Sequence, residues 1–166
     1  KNILNFLKSV LMQKEQGFKL KEIWVHSDGS MDNTVKLAKS LKSKKVRVWD
    51  HKKRLGKSTW LNKIYNDLNT DILVQSDADV VLAHKLVLND LIQPLIKNLK
   101  VGMCGGNPMP LAGTTYWEKV VRVAFEPYQE FRSTVNGGNN VFSAIGQLLA
   151  YRKNLVKKIT VPFDMV

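Results

Sequence analysis

The sequence predicts an α/β domain with a mostly parallel sheet, held between helices in a three-layer α/β/α sandwich. Two observations lead there. Strand-length apolar runs alternate with amphipathic stretches long enough for helices, the pattern that links parallel strands through crossover helices. Polar turns rich in Asp and Gly also follow two of the apolar runs, at 27–34 and 76–80. No internal repeat, low-complexity tract or linker breaks the 166 residues, so residues 1–166 read as one domain.

Each element has its own signal. Ile3, Leu4, Leu7, Val10 and Leu11 recur at helical spacing within 3–16, and Gly17 is a stop. Glu22 to Ser27 is a buried strand. Asp28-Gly29-Ser30 turns the chain, and Asp32 or Asn33 caps a helix over 33–43. Val46 to Asp50 is a second strand, Leu55 to Leu68 a helix, and Asp71 to Ser76 a third strand. His84 to Leu99 forms a helix kinked at Pro94. Val101 to Cys104 is a fourth strand, with Cys104 expected to be a buried small apolar residue. A Gly/Pro-rich loop spans 105–113. Thr114 to about Arg132 forms a long amphipathic helix, in which Trp117, Val121, Phe125 and Tyr128 make a core stripe. A polar loop covers 134–140, and Val141 to Arg152 is extended. In such a sheet ligands bind beyond the carboxyl ends of the strands. The informative loops are therefore 27–34, 50–57, 76–80 and 105–113.

Composition narrows the function. With 44% hydrophobic and 24% charged residues the chain can build a core. No stretch reaches the roughly 18 apolar residues of a membrane span. A single cysteine excludes an intrachain disulfide and a Cys-built zinc site. The net charge of +12 draws anions, such as phosphorylated substrates, anionic lipid or nucleic acid. His26, His51 and His84 are scattered without acids at ligand spacing. His26 reads as packed within a strand, the other two as loop or helix-end residues.

Three segments carry chemistry. Asp28 closes the first strand, where its carboxylate can accept hydrogen bonds from a base imide or ribose hydroxyls. Asp77 and Asp79 follow the third strand two residues apart. Such a pair can converge on one hard divalent cation, Mg²⁺ or Mn²⁺, and hold a diphosphate through it. Between them lies the segment from His51 to Thr59, containing Gly56-Lys57-Ser58-Thr59. A phosphate-cradling P-loop is the alternative there, but it requires Gly where this chain has His51. A basic nucleic-acid-binding domain is the non-enzymatic alternative. Aromatics do not interleave with the basic clusters, and no nucleic-acid motif appears, so no nucleic acid is expected.

Together, in order and spacing, these segments resemble the family 2 glycosyltransferases of the GT-A, Rossmann-like fold. The features are a strand ending at Asp28-Gly29-Ser30, then Gly56-Lys57 opening a helix with Asn62 downstream, then Asp77-x-Asp79. Later come Gly146 and the pair Tyr151-Arg152. The resemblance spans about residues 3 to 164. It implies that Asp28, Arg54, Lys57 and Asp77 contact the nucleotide sugar, that Asp79 with Asp77 holds the metal, and that Gly146 lines the donor and acceptor side. Ser27 replaces a second acid common in the family. The implied reaction is inverting transfer from a nucleotide-diphosphate sugar, UDP-linked, to a hydroxyl of a sugar, lipid or protein acceptor, in polysaccharide, glycolipid or glycoprotein synthesis.

The resemblance also implies absences. Family members begin with a strand ending in a Pro-x-x-Asn-Glu-like turn, which lies between the strands at 22–27 and 71–76. This chain opens in the helix that should follow it. The Glu-Asp pair holding the general base is due after Val166, and Asp164 reads as the approach to it. Residues 1–166 are thus expected to be a partial catalytic domain, inactive alone, from a longer polypeptide. Its expected setting is the cytoplasm, at the inner face of a membrane through segments outside the fragment. Trp117, Arg122 and Arg132 are candidates for contact with a membrane surface.

Overall fold

The computed structural model describes residues 2–140 and 144–162, so Asp164 lies outside them. The elements run α1 (Asn2–Leu11), β1 (Ile23–Asp28), α2 (Thr34–Ser40), β2 (Val46–His51), α3 (Lys57–Asp67), β3 (Ile72–Ser76), α4 (Val87–Lys97), β4 (Met103–Gly105), α5 (Tyr116–Thr134), β5 (Leu148–Arg152) and α6 (Lys153–Val156). Helix α1 buries Ile3, Leu7 and Val10, the stripe its periodicity predicts. It ends before the predicted stop because the following residues bind elsewhere. Gln13 donates to the His84 carbonyl (2.7 Å) and accepts from Leu88 N–H (3.0 Å). Lys14 N–H donates to the Lys85 carbonyl (2.8 Å).

The strands form two sheets. β1 pairs with β2 in parallel, from Ile23 opposite Val46 to Asp28 opposite His51. β5 lies between β3 and β4 and runs antiparallel to both. β3 and β4 therefore share a direction, with the late strand threaded against them. Three layers result. Leu148 and Ala150 of β5 join a core with α1, α2 and α4. Leu149 and Tyr151 point to the other face, among Tyr65 and Leu68 at α3 and Val156 of α6. Side-chain alternation along β5 separates the two cores.

Between β1 and β3 the described residues place no strand. A cavity of about 1910 Å³ lies there, lined by Ile23, Trp24 and His26 on one side and Ile72 to Ser76 on the other. This is the position the family resemblance assigned to an absent strand.

Three expectations are corrected. The stripe of α5 is not core: Trp117 is 73% exposed, Val121 57% and Tyr128 42%, with Phe125 half-buried. The helix docks by its polar side instead. Gln129 donates to the Pro108 carbonyl (2.7 Å), and buried Arg132 donates to the Gly106 carbonyl (3.3 Å). Cys104 is half-buried on the short strand β4, where burial raises its thiol pKa. His51 is the last residue of β2 rather than a loop residue.

Candidate functional site

The site lies where β1 and β3 end. Asp28 is the last residue of β1, and Gly29 turns the chain at φ +68. A Cβ on Gly29 would sit 3.3 Å from the Arg54 nitrogen, so glycine allows the two loops to close on each other. Gly56 precedes α3 at φ +85, a second position that favours glycine. The Asp28 carboxylate then gathers the loop. It accepts from Leu55 N–H (2.8 Å), Gly56 N–H (2.9 Å) and the Trp60 indole N–H (2.8 Å). Desolvation pushes the Asp28 pKa up. The Trp60, Leu55 and Gly56 hydrogen bonds and the Arg54 charge outweigh it and hold the carboxyl below its usual value.

An aromatic column stands behind Asp28. Trp60 stacks on His51 with ring centroids 3.4 Å apart, and His26 stacks on Trp49 at 4.6 Å. His26 Nδ1 and His51 Nε2 are 3.1 Å apart, so one ring donates to the other. His26 Nε2 is buried without a partner, and burial, with His51 next, lowers the His26 pKa to about 4. Sequence reasoning missed this group. The signal was there: Trp24-Val25-His26 and Trp49-Asp50-His51 repeat the same spacing on paired strands. Residues two apart on a strand share a face.

Across the mouth, Lys57 reaches from the first turn of α3 to Asp77 Oδ1 (2.5 Å). Asp77 N–H and Ser76 Oγ both donate to the Gln147 carbonyl (3.2 and 3.0 Å), which brings Gly146 to the same edge. A Cβ on Gly146 would meet nothing within 4 Å. Asp79 is exposed two residues beyond Asp77, and Arg54 is exposed beside Asp28. The structure thus brings Asp28, Arg54, Lys57, Asp77, Asp79 and Gly146 to the carboxyl ends of the strands. Two further motif residues are structural. Asn62 makes paired hydrogen bonds with Val161 (2.9 and 2.8 Å), tying down the chain end. Arg152 donates to the carbonyls of Leu95, Asn98 and Val101 at the end of α4.

The donor set fits a hard cation. Among the described residues no group of three metal-binding side chains occurs. Asp77 and Asp79 supply two carboxylates, which suits an ion completed by water and substrate phosphate oxygens. The P-loop alternative fits poorly. The Leu55 and Gly56 N–H groups that would cradle a phosphate are already directed into the Asp28 carboxylate.

Comparison with known proteins agrees with this geometry. Glycosyl transferase family 2 matches residues 1–160. No curated protein matches the sequence. Among solved structures, a mannosyltransferase from Pyrobaculum calidifontis, in complex with GDP-Man and Mn²⁺, superposes with a TM-score of 0.65 at 19% identity. The match covers 98% of this chain and 44% of that one. Glucosyl-3-phosphoglycerate synthase from Mycobacterium tuberculosis, in complex with UDP, gives 0.59 at 19% identity, covering 93% and 53%. The chain thus spans about half the length of the structures it matches, and these likenesses carry the fold. With the match along nearly its whole length, the chain belongs to glycosyltransferase family 2.

Proposed function

We propose that this chain forms the donor-binding part of a glycosyltransferase that moves a sugar from a nucleotide-diphosphate sugar, with uridine the expected base, to an acceptor hydroxyl with inversion. The observation that carries the reading is the convergence of Lys57, Asp77 and Asp79 opposite Asp28 at one mouth. In the reaction the acceptor oxygen bonds to the anomeric carbon as the bond to the diphosphate breaks. The acceptor proton passes to a general base expected beyond Val166. Lys57, at a helix N-terminus, adds its charge to the helix dipole and offsets negative charge on the leaving diphosphate. Its side chain is 54% exposed, free to turn from Asp77 to phosphate. Asp77 and Asp79 would hold Mg²⁺ or Mn²⁺, which as a Lewis acid stabilises the same leaving group. Asp28 keeps the loop at Leu55 and Gly56 in place and leaves little acceptor capacity for the base itself, since three of its roughly four lone-pair sites are used.

Calorimetry in the full-length polypeptide tests this. UDP should bind more tightly with Mn²⁺ than without. Lys57→Ala should weaken UDP binding on the order of tenfold, a loss of about 1.4 kcal/mol. Lys44→Ala, near α2, should leave it unchanged. Equal losses from both would mean diffuse electrostatics and no diphosphate site. GDP binding more tightly than UDP would reassign the base.

The acceptor is proposed to lie at a membrane surface. None of the described helices is long and apolar enough to cross a membrane. Yet α5 exposes Tyr116, Trp117, Val120, Val123 and Phe131, on a chain of net charge +12. Apolar and aromatic residues on a cationic protein suit an anionic lipid interface. Co-sedimentation with phosphatidylserine vesicles should fall for Trp117→Ser, and unchanged binding would remove α5 from this role.

A further inference from the structure

We infer that the cavity between β1 and β3 is a strand socket, filled by the residues directly ahead of Lys1 in the same polypeptide, which run parallel to both neighbours and lead into α1. The inference is independent of the proposed reaction and rests on backbone direction. In β1, Ile23 N–H donates to the Lys45 carbonyl, and Gly29 N–H donates to the His51 carbonyl. Odd-numbered residues of β1 therefore face β2. Trp24, His26 and Asp28 turn their main-chain groups to the cavity. In β3, Asp77 N–H donates to the Gln147 carbonyl, and the Asp71 carbonyl accepts from Lys153 N–H. Odd-numbered residues there face β5, and Ile72, Val74 and Ser76 face the cavity. Two matching edges of N–H and C=O groups thus look at each other, and neither pairs with a strand among the described residues. The Ile72 carbonyl alone has a local substitute, the Thr70 hydroxyl (3.0 Å).

The walls are apolar on both sides. Phe6 and Val10 of α1 with Leu88, Ile92 and Leu95 of α4 line the cavity, as do Trp60, Leu61 and Ile64 of α3. At about 1910 Å³ the space exceeds the roughly 300–1,000 Å³ of a small-molecule pocket. A strand is the occupant that meets both edges, and with both faces covered it should read as a continuous apolar run.

Direction selects a segment joined to α1. Leu82 N–H donates to Ser9 Oγ, Leu88 N–H donates to Gln13, and Gly17 lies beside Gln93. α1 therefore runs the same way as α4, starting at the edge where β3 ends. A strand parallel to β3 would finish at that edge, next to the start of α1. α1 then returns the chain to β1 as a strand–helix–strand crossover. The solved structures that match are about twice as long as this chain, which leaves length for such a segment.

Residue-resolved hydrogen exchange on the full-length polypeptide tests the socket. The amides of Trp24, His26, Asp28, Ile72, Val74 and Ser76 should be as protected as those of Val25, Ser27, Leu73 and Gln75, which already face a partner strand. Protection should not depend on protein concentration. Two prolines placed in the segment ahead of Lys1 should speed exchange at the six cavity-facing amides at least tenfold and spare Val25 and Ser27. Fast exchange at the six in the unmodified polypeptide would overturn the inference. So would protection that rises with concentration, which would assign the socket to a second copy, or protection that survives the prolines. Each readout is a backbone measurement, so loss of sugar transfer would not mimic any of them.

Discussion

Trp60 binds no substrate in the proposed reaction, yet it governs a residue that shapes the site. Its indole N–H holds Asp28, and Asp28 holds the N–H groups of Leu55 and Gly56 just ahead of Lys57. Trp60→Phe keeps the stack on His51 and removes one hydrogen bond to a carboxylate, worth about 1–2 kcal/mol. We expect a raised KM for the nucleotide sugar with kcat less affected, as Lys57 loses its fixed starting point; steady-state kinetics on the full-length enzyme checks it. His26 makes a pH-dependent contribution. Its folded pKa of about 4 lies below the ordinary value of 6.5, so the unfolded chain binds more protons between those limits. Its contribution is present above pH 6.5 and is lost as pH falls towards 4, on the order of 2 kcal/mol. Denaturant midpoints across that window should fall less for His26→Phe than for the native chain. Gly146→Ala meets no clash, so stability should stay within about 0.5 kcal/mol. Transfer should nonetheless drop if donor or acceptor passes against that residue, and unchanged kcat/KM would place Gly146 away from the reaction path.

At the scale of elements, α5 shows what periodicity leaves open. An amphipathic pattern says that a helix has two sides, not which side meets the protein. Here Arg132 and Gln129 find backbone carbonyls at Gly106 and Pro108, and the apolar side faces outward. With so little packing beneath it, α5 depends on local devices. Thr115 and Glu118 form a capping box, with Glu118 N–H donating to Thr115 Oγ1 (3.3 Å) and Glu118 Oε2 accepting from Thr115 N–H (2.9 Å). Thr115→Ala should cost about 1 kcal/mol of helix stability. The loss should appear as faster amide exchange at the start of α5, with the unfolding temperature of the rest of the domain unchanged.

For the whole molecule, the open socket sets the stability. A buried N–H or C=O without a partner costs about 1–3 kcal/mol. Several such groups line each edge, against a net domain stability of about 5–15 kcal/mol. Residues 1–166 expressed alone should therefore unfold in a broad, weakly cooperative transition and lack sugar transfer. A sharp calorimetric transition would show that the two sheets close on each other in solution.

What the sequence determined by itself was local and repetitive. The alternation of strands and helices, the Asp-Gly turn at 28–29, the glycine before Lys57 and the two acids after β3 follow from short-range rules of backbone and charge. They were enough to bring the site residues to one edge. Tertiary structure decided whatever depends on which groups meet across the chain. It turned Asp28 inward onto Leu55, Gly56 and Trp60, and stacked His51 on Trp60 through strand register. It ran β5 against β3 and β4, and faced the apolar side of α5 outward. None of these has a local signature, because a hydrogen-bond acceptor or an apolar face is satisfied equally well by several partners. Only the packed chain selects which one is within reach.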